Sequence, residues 1–199
     1  MKKLSILLFA ILTLTFLACS GDKKQKEEAG SDADHDHAVA TTQPATAAKS
    51  KSPATETMTN IGKTHVHIAY HAPSARGRQI FGGLVAYNEV WVTGAHSATT
   101  IEFYGDVELN GKKVAKGKYA LFTIPGEKEW AIIINENFEQ HLADDYDPKL
   151  DVVRLTAKPE KLSEIQEQLL YEVKSTEGKE GVISISWADI KVSFKVTEQ

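Results

Sequence analysis

The sequence contains one cysteine, two methionines and six prolines in 199 residues. A single cysteine excludes an internal disulfide, a CxxC redox pair and any multi-cysteine zinc site. There is no strong basic excess. Lys and Arg number 23 against 27 acidic residues, a formal net charge of -4 with pI near 6.0, which argues against a surface built to coat nucleic acid. No apolar run is long enough to span a bilayer. The longest, Leu4 to Ala18, is interrupted by Ser5, Thr13 and Thr15; as a helix it reaches about 22 Å, short of the roughly 30 Å hydrocarbon core. Equally absent are a GxSxG elbow, a GxxxxGKS/T phosphate loop, an HExxH helix and a dinucleotide fingerprint. No spacing singles out a nucleophile with its base, so catalysis is not the expectation.

Met1-Lys2-Lys3, the short apolar stretch and the small residue Ala18 together read as a secretory signal peptide over residues 1–18. The segment Phe16-Leu17-Ala18-Cys19 resembles the lipobox of bacterial lipoproteins, with Phe16 in place of the usual leucine. The sole thiol of the chain stands where that resemblance places the lipid-modified residue. Cys19 is therefore the expected lipidation site, palmitate included, because two or more acyl chains anchor stably where one does not. The expected location is the cell envelope, lipid-anchored at the outer membrane and facing the periplasm or cell surface. The membrane is the expected partner, through that anchor.

Residues 19–60 are expected to form a disordered stalk. From Ser20 to Asn60 there is no aromatic residue, and Val39 and Met58 are the only apolar side chains larger than alanine, proline apart. Such a composition cannot offset the entropy of ordering, and a flexible chain of about 40 residues spans about 35 Å. His35-Asp36-His37, with Asp32 and Asp34, offers metal-ligand chemistry without preorganisation. Lys26-Glu27-Glu28 resembles a surface-export signal of Bacteroidota lipoproteins.

From Ile61 the composition changes, and residues 61–199 are read as one domain. Period-two alternation is expected to give strands at Thr64–His71, Thr99–Tyr104, Val107–Leu109, Lys112–Val114, Tyr119–Ile124, Trp130–Asn135, Val152–Ala157, Gln168–Lys174, Val182–Trp187 and Lys191–Val196. Asn110-Gly111 marks a hairpin, and one short helix is expected at Asn137 to Ala143. About ten short strands without a long helical pattern mean an all-β fold, an antiparallel β-sandwich.

Gly77-Arg78-Gln79-Ile80-Phe81-Gly82-Gly83-Leu84-Val85 leads to Val90-Trp91-Val92-Thr93-Gly94-Ala95. Lys116-Gly117-Lys118-Tyr119, Phe122-Thr123-Ile124-Pro125-Gly126-Glu127-Lys128-Glu129-Trp130, Tyr146-Asp147-Pro148 and Lys158-Pro159 follow. This series resembles the family called domain of unknown function 2911, common in exported Bacteroidota proteins. The resemblance implies a β-rich extracytoplasmic domain and brings no activity with it. Val92 and His96 stand where the family pattern has arginine and asparagine.

Three groups of residues are candidate sites. His65, His67 and His71 share one face of a strand, with neighbours i and i+2 about 7 Å apart. With His96 they could hold zinc or copper; plain polar residues on a solvent-facing strand are the favoured alternative. Arg76 and Arg78 flank Gly77 and could fork onto a ligand carboxylate or phosphate. Pairing with acids of the same domain is the favoured alternative there. Trp91 and His96 border the Gly94-Ala95 break, a place for close ligand approach. Asp144-Asp145-Tyr146-Asp147 lacks the glycine and closing glutamate of a calcium loop. The expected function is a non-catalytic binding or interaction module for a small ligand or another envelope protein, without nucleic acid and with no required cofactor. The alternative is a zinc or copper protein, or a metalloenzyme, built on the strand histidines.

Overall fold

In a computed structural model, residues 51–199 are described. Cys19, the signal peptide, and the histidines and charge run of the stalk lie outside them. The described part is all-β. β1 (Ala54–Ile61), β2 (Thr64–His71), β3 (Thr100–Phe103), β4 (Val107–Leu109), β5 (Lys112–Val114), β6 (Gly117–Ile124) and β7 (Trp130–Asn135) lead to a single 3-10 turn at Pro148–Leu150. β8 (Asp151–Ala157), β9 (Glu160–Ser175) and β10 (Glu180–Glu198) complete the chain. A six-stranded sheet runs β1-β2-β3-β6-β7-β8 and a four-stranded sheet β5-β4-β10-β9, with every pairing antiparallel. No helix among the described residues is long and apolar enough to cross a membrane.

The two sheets enclose one core because alternate residues of each strand are apolar. Val66, Ile68 and Tyr70 of β2 meet Ile183, Ile185 and Trp187 of β10 in a single cluster, the one-face burial that antiparallel sheets use. β6 and β7 depart from that rule. Leu121, Ile132 and Ile134 face the main core, while Ala120, Phe122 and Ile133 turn outward into a second cluster with Val92 and Ala98. These two strands are buried on both faces because the loops after β2 and β7 fold over the outer side of the sheet.

Three sequence expectations need correction. The domain begins before Ile61, since β1 covers Ala54–Ile61 and pairs with β2 along its whole length. As an edge strand it is mostly exposed, so its Thr-rich composition looks like stalk. The helix expected at Asn137 to Ala143 is an irregular loop. Leu142 N–H donates to His96 O, Gln140 O accepts from Ala98 N–H, and Leu142 has φ +52°. Tertiary partners thus take the backbone groups that so short a helix would need. The strands expected at Val182–Trp187 and Lys191–Val196 are one strand, β10, whose register with β9 shifts on either side of Ala188. Ala188 has φ +52°, and this bulge moves the inward positions from odd to even numbers.

Candidate functional site

The long connection from β2 to β3 builds one wall of a large cavity. Its first part behaves as an extra edge partner of β9. Ala75 N–H donates to Glu167 O at 2.7 Å, Leu169 N–H to Pro73 O at 2.9 Å, and Gln168 Nε2 to Ala72 O at 3.0 Å. At the turn that follows, Arg76 has φ +53° and its N–H donates to Glu167 Oε1 at 2.8 Å. Gly77 is also left-handed, at φ +68°, the conformation glycine adopts at least cost.

Further along, Trp91 pairs through its backbone with Thr123 of β6, and Thr93 turns the chain at φ +53°. That conformation is unusual for a β-branched residue and is held by buried hydroxyls. Thr93 Oγ1 lies 2.9 Å from Thr123 Oγ1 and donates to Trp91 O, while Thr93 O accepts from Thr99 Oγ1 at 3.1 Å and from Tyr171 OH at 2.9 Å. Burial pushes the Tyr171 phenol well above its ordinary range, so it stays a donor. Gly94 then passes close against β2 and Thr99: a Cβ there would stand 2.8 Å from Thr99 Oγ1.

The resulting cavity has a volume of about 690 Å³, inside the range of small-molecule sites. Arg76, Arg78, Trp91 and His96 all line it. The structure therefore brings together the four residues that the sequence marked separately as candidate ligand contacts. Apolar side chains, among them Leu84, Val90, Leu142 and Trp187, form much of the remaining wall. Trp91 stacks on Trp187, with centroids 5.7 Å apart and planes at 18°, and Phe81 stands edge-on to Trp91, Trp130 and Trp187. All three tryptophans thus meet in one cluster, and half-buried Trp91 links that cluster to the cavity.

Among the described residues neither arginine is neutralised. The internal ion pairs expected for Arg76 and Arg78 do not form among the described residues. Instead Arg76 Nη2 donates to Lys51 O at 3.2 Å, and Arg78 donates through Nε to Ala75 O and through Nη2 to Ser74 O. Backbone carbonyls orient both forks without cancelling their charge. Strain also gathers here. Of the positive-φ residues other than glycine, Arg76, His96 and Leu142 line the cavity, and Thr93 and Ala188 adjoin lining residues. His96, at φ +65°, occupies a region in which Asn, Asp and His are the enriched non-glycine residues, which accounts physically for the asparagine of the family pattern. Such outliers persist only where their surroundings over-determine them, and they cluster at functional sites.

The four candidate metal ligands are not gathered. His65 Nδ1 lies 2.8 Å from Asn60 Oδ1, and His67 Nε2 lies 3.0 Å from Glu56 Oε2, so both are engaged by β1. His71 and His96 meet edge to face with ring centroids 5.1 Å apart. Burial and, secondarily, the charge of His96 lower the His71 pKa. Among the described residues no three His, Cys, Asp or Glu side chains group as a metal site requires. Asp151, four positions beyond the aspartate run, is structural: it accepts from Tyr146 OH, Asn135 Nδ2 and Arg154 Nη2.

Sequence reasoning missed Glu167, Thr93, Trp187 and Leu142 as parts of the site. Glu167 sits in a charged strand with nothing to distinguish it, and Trp187 reads as core, which it also is. The family model described as protein of unknown function (DUF2911) matches residues 52–196, and the chain belongs to that family. No curated protein and no solved structure matches it.

Proposed function

We propose that this member of the DUF2911 family is a lipid-anchored envelope protein whose β-sandwich is a non-catalytic binding module, with the arginine- and tryptophan-lined cavity as its site. The observation that carries the binding reading is the convergence of Arg76, Arg78, Trp91 and His96 on one cavity, with no carboxylate paired to either guanidinium among the described residues. Preorganised, uncompensated charge beside a half-buried indole costs stability and is useful when a ligand supplies the missing partner. The anchor reading is supported by the position of Cys19 directly after a short apolar segment.

The test is recovery of bound small molecules by native mass spectrometry from protein purified out of its own envelope. A compound is expected with the parent and not with Ala95→Phe, which fills the cavity from its wall. Equal recovery from both proteins, or none from either, refutes the binding reading.

A further inference from the structure

We infer that the cavity takes an organic oxyanion, with a carboxylate or phosphate head held by Arg76 and Arg78 and an apolar body of about one or two rings lying against Trp91. This inference rests on the binding reading above and specifies its ligand. Lys51, Arg76 and Arg78 bring three positive charges to the lining against one carboxylate, Asp144, which already lies 3.1 Å from His141 Nδ1. The arginine turn is rigid. Glu167 fixes its backbone through Arg76 N–H, and the Arg78 fork is clamped to the Ser74 and Ala75 carbonyls.

Carbonyls engage Nη2 of Arg76 and Nε and Nη2 of Arg78, which leaves for carboxylate or phosphate oxygens further N–H donors on both planar guanidiniums. Holding them in place beforehand reduces the ordering cost of binding. A purely inorganic anion would leave Leu84, Val90, Leu142 and the indole of Trp91 wetted. A purely apolar guest would leave the guanidiniums without a counter-charge. A molecule with a charged head and an apolar body satisfies both halves of the lining.

The experiment is calorimetric titration of the full chain with 1-naphthoate, 1-naphthyl phosphate and the neutral isostere 1-naphthamide. At least one anion is expected to bind about tenfold tighter than the amide, the scale of a charge-assisted hydrogen bond; the two anion arms identify the preferred head. Arg76→Gln gives up one hydrogen bond to a backbone carbonyl, so its melting temperature should match the parent. It should weaken the anion about tenfold and leave the amide unchanged. Equal affinities for amide and anions, indifference to Arg76→Gln, or no binding of any probe at millimolar concentration overturns the oxyanion assignment. If a compound still co-purifies with the parent and not with Ala95→Phe, the binding reading survives that result by itself.

Discussion

Inserting one alanine between Lys191 and Val192 tests whether a single bulge sets the register of the longest strand. Before the bulge the inward residues of β10 are Ile183, Ile185 and Trp187; after it they are Val192, Phe194 and Val196. With the bulge in place, one extra residue beyond it takes the inward position itself and turns the second set toward solvent. Val192 is 0%, Phe194 2% and Val196 0% exposed. Exposing three such side chains costs about 1.5–3 kcal/mol each, or about 5–9 kcal/mol together, comparable with the whole stability of a typical domain, about 5–15 kcal/mol. The variant should therefore be unfolded or barely folded in water. Ala188→Gly keeps the residue count and relieves a left-handed conformation worth about 1–2 kcal/mol. Glycine gives back about 0.5–1 kcal/mol in chain entropy, so its urea midpoint should equal or exceed that of the parent. The assay is urea unfolding followed by tryptophan fluorescence, to which all three indoles of the cluster contribute. An insertion variant within about 1 kcal/mol of the parent, on the usual linear extrapolation, would refute the reasoning and show that the β9–β10 hairpin absorbs the slip.

Removing residues 21–50 should leave the melting temperature within about two degrees, because polar, unpatterned chain adds little to stability; extending the deletion to Thr57 should lower it clearly by stripping half of β1 from β2, and equal melting of both deletion variants would argue against β1 as part of the domain. Tyr146 has its pKa pushed up to about 12, first by burial and then by its hydrogen bond to Asp151. Since the folded value lies above the unfolded one, this stabilisation is complete below pH 10 and is lost as pH rises toward 12. Discounted for the exposure of the ring, the loss should be about 1 kcal/mol, and Tyr146→Phe should flatten that stretch of the stability profile; an unchanged profile would sink the assignment. Cys19→Ser should abolish palmitate labelling and membrane fractionation, and persistence of both would refute the lipobox reading.

The fold class was legible because an antiparallel sheet writes itself into sequence. Thr64 to His71 alternates strictly, Asn110-Gly111 closes a hairpin at φ +45° and +82°, and such local signals do not depend on distant partners. The family too was carried by contiguous motifs, from Gly77 to Lys158-Pro159. The individual site candidates were visible as residue types, two guanidiniums flanking a glycine and an indole beside a glycine break, with structural uses favoured for them at that level. Their assembly was not visible. Arg76 and Trp91 stand fifteen positions apart, and they reach one cavity because Glu167, almost a hundred residues further on, seats the first while Thr123 pairs with the second. The absent ion pairs of the arginines, the parity change at Ala188 and the strand hidden in stalk-like residues 54–60 are likewise decided by long-range partners. Period-two patterns record which face of a strand is buried; which strand, loop or carbonyl covers it is a property of the closed chain, where backbone groups take the nearest satisfying partner however far away it lies in sequence.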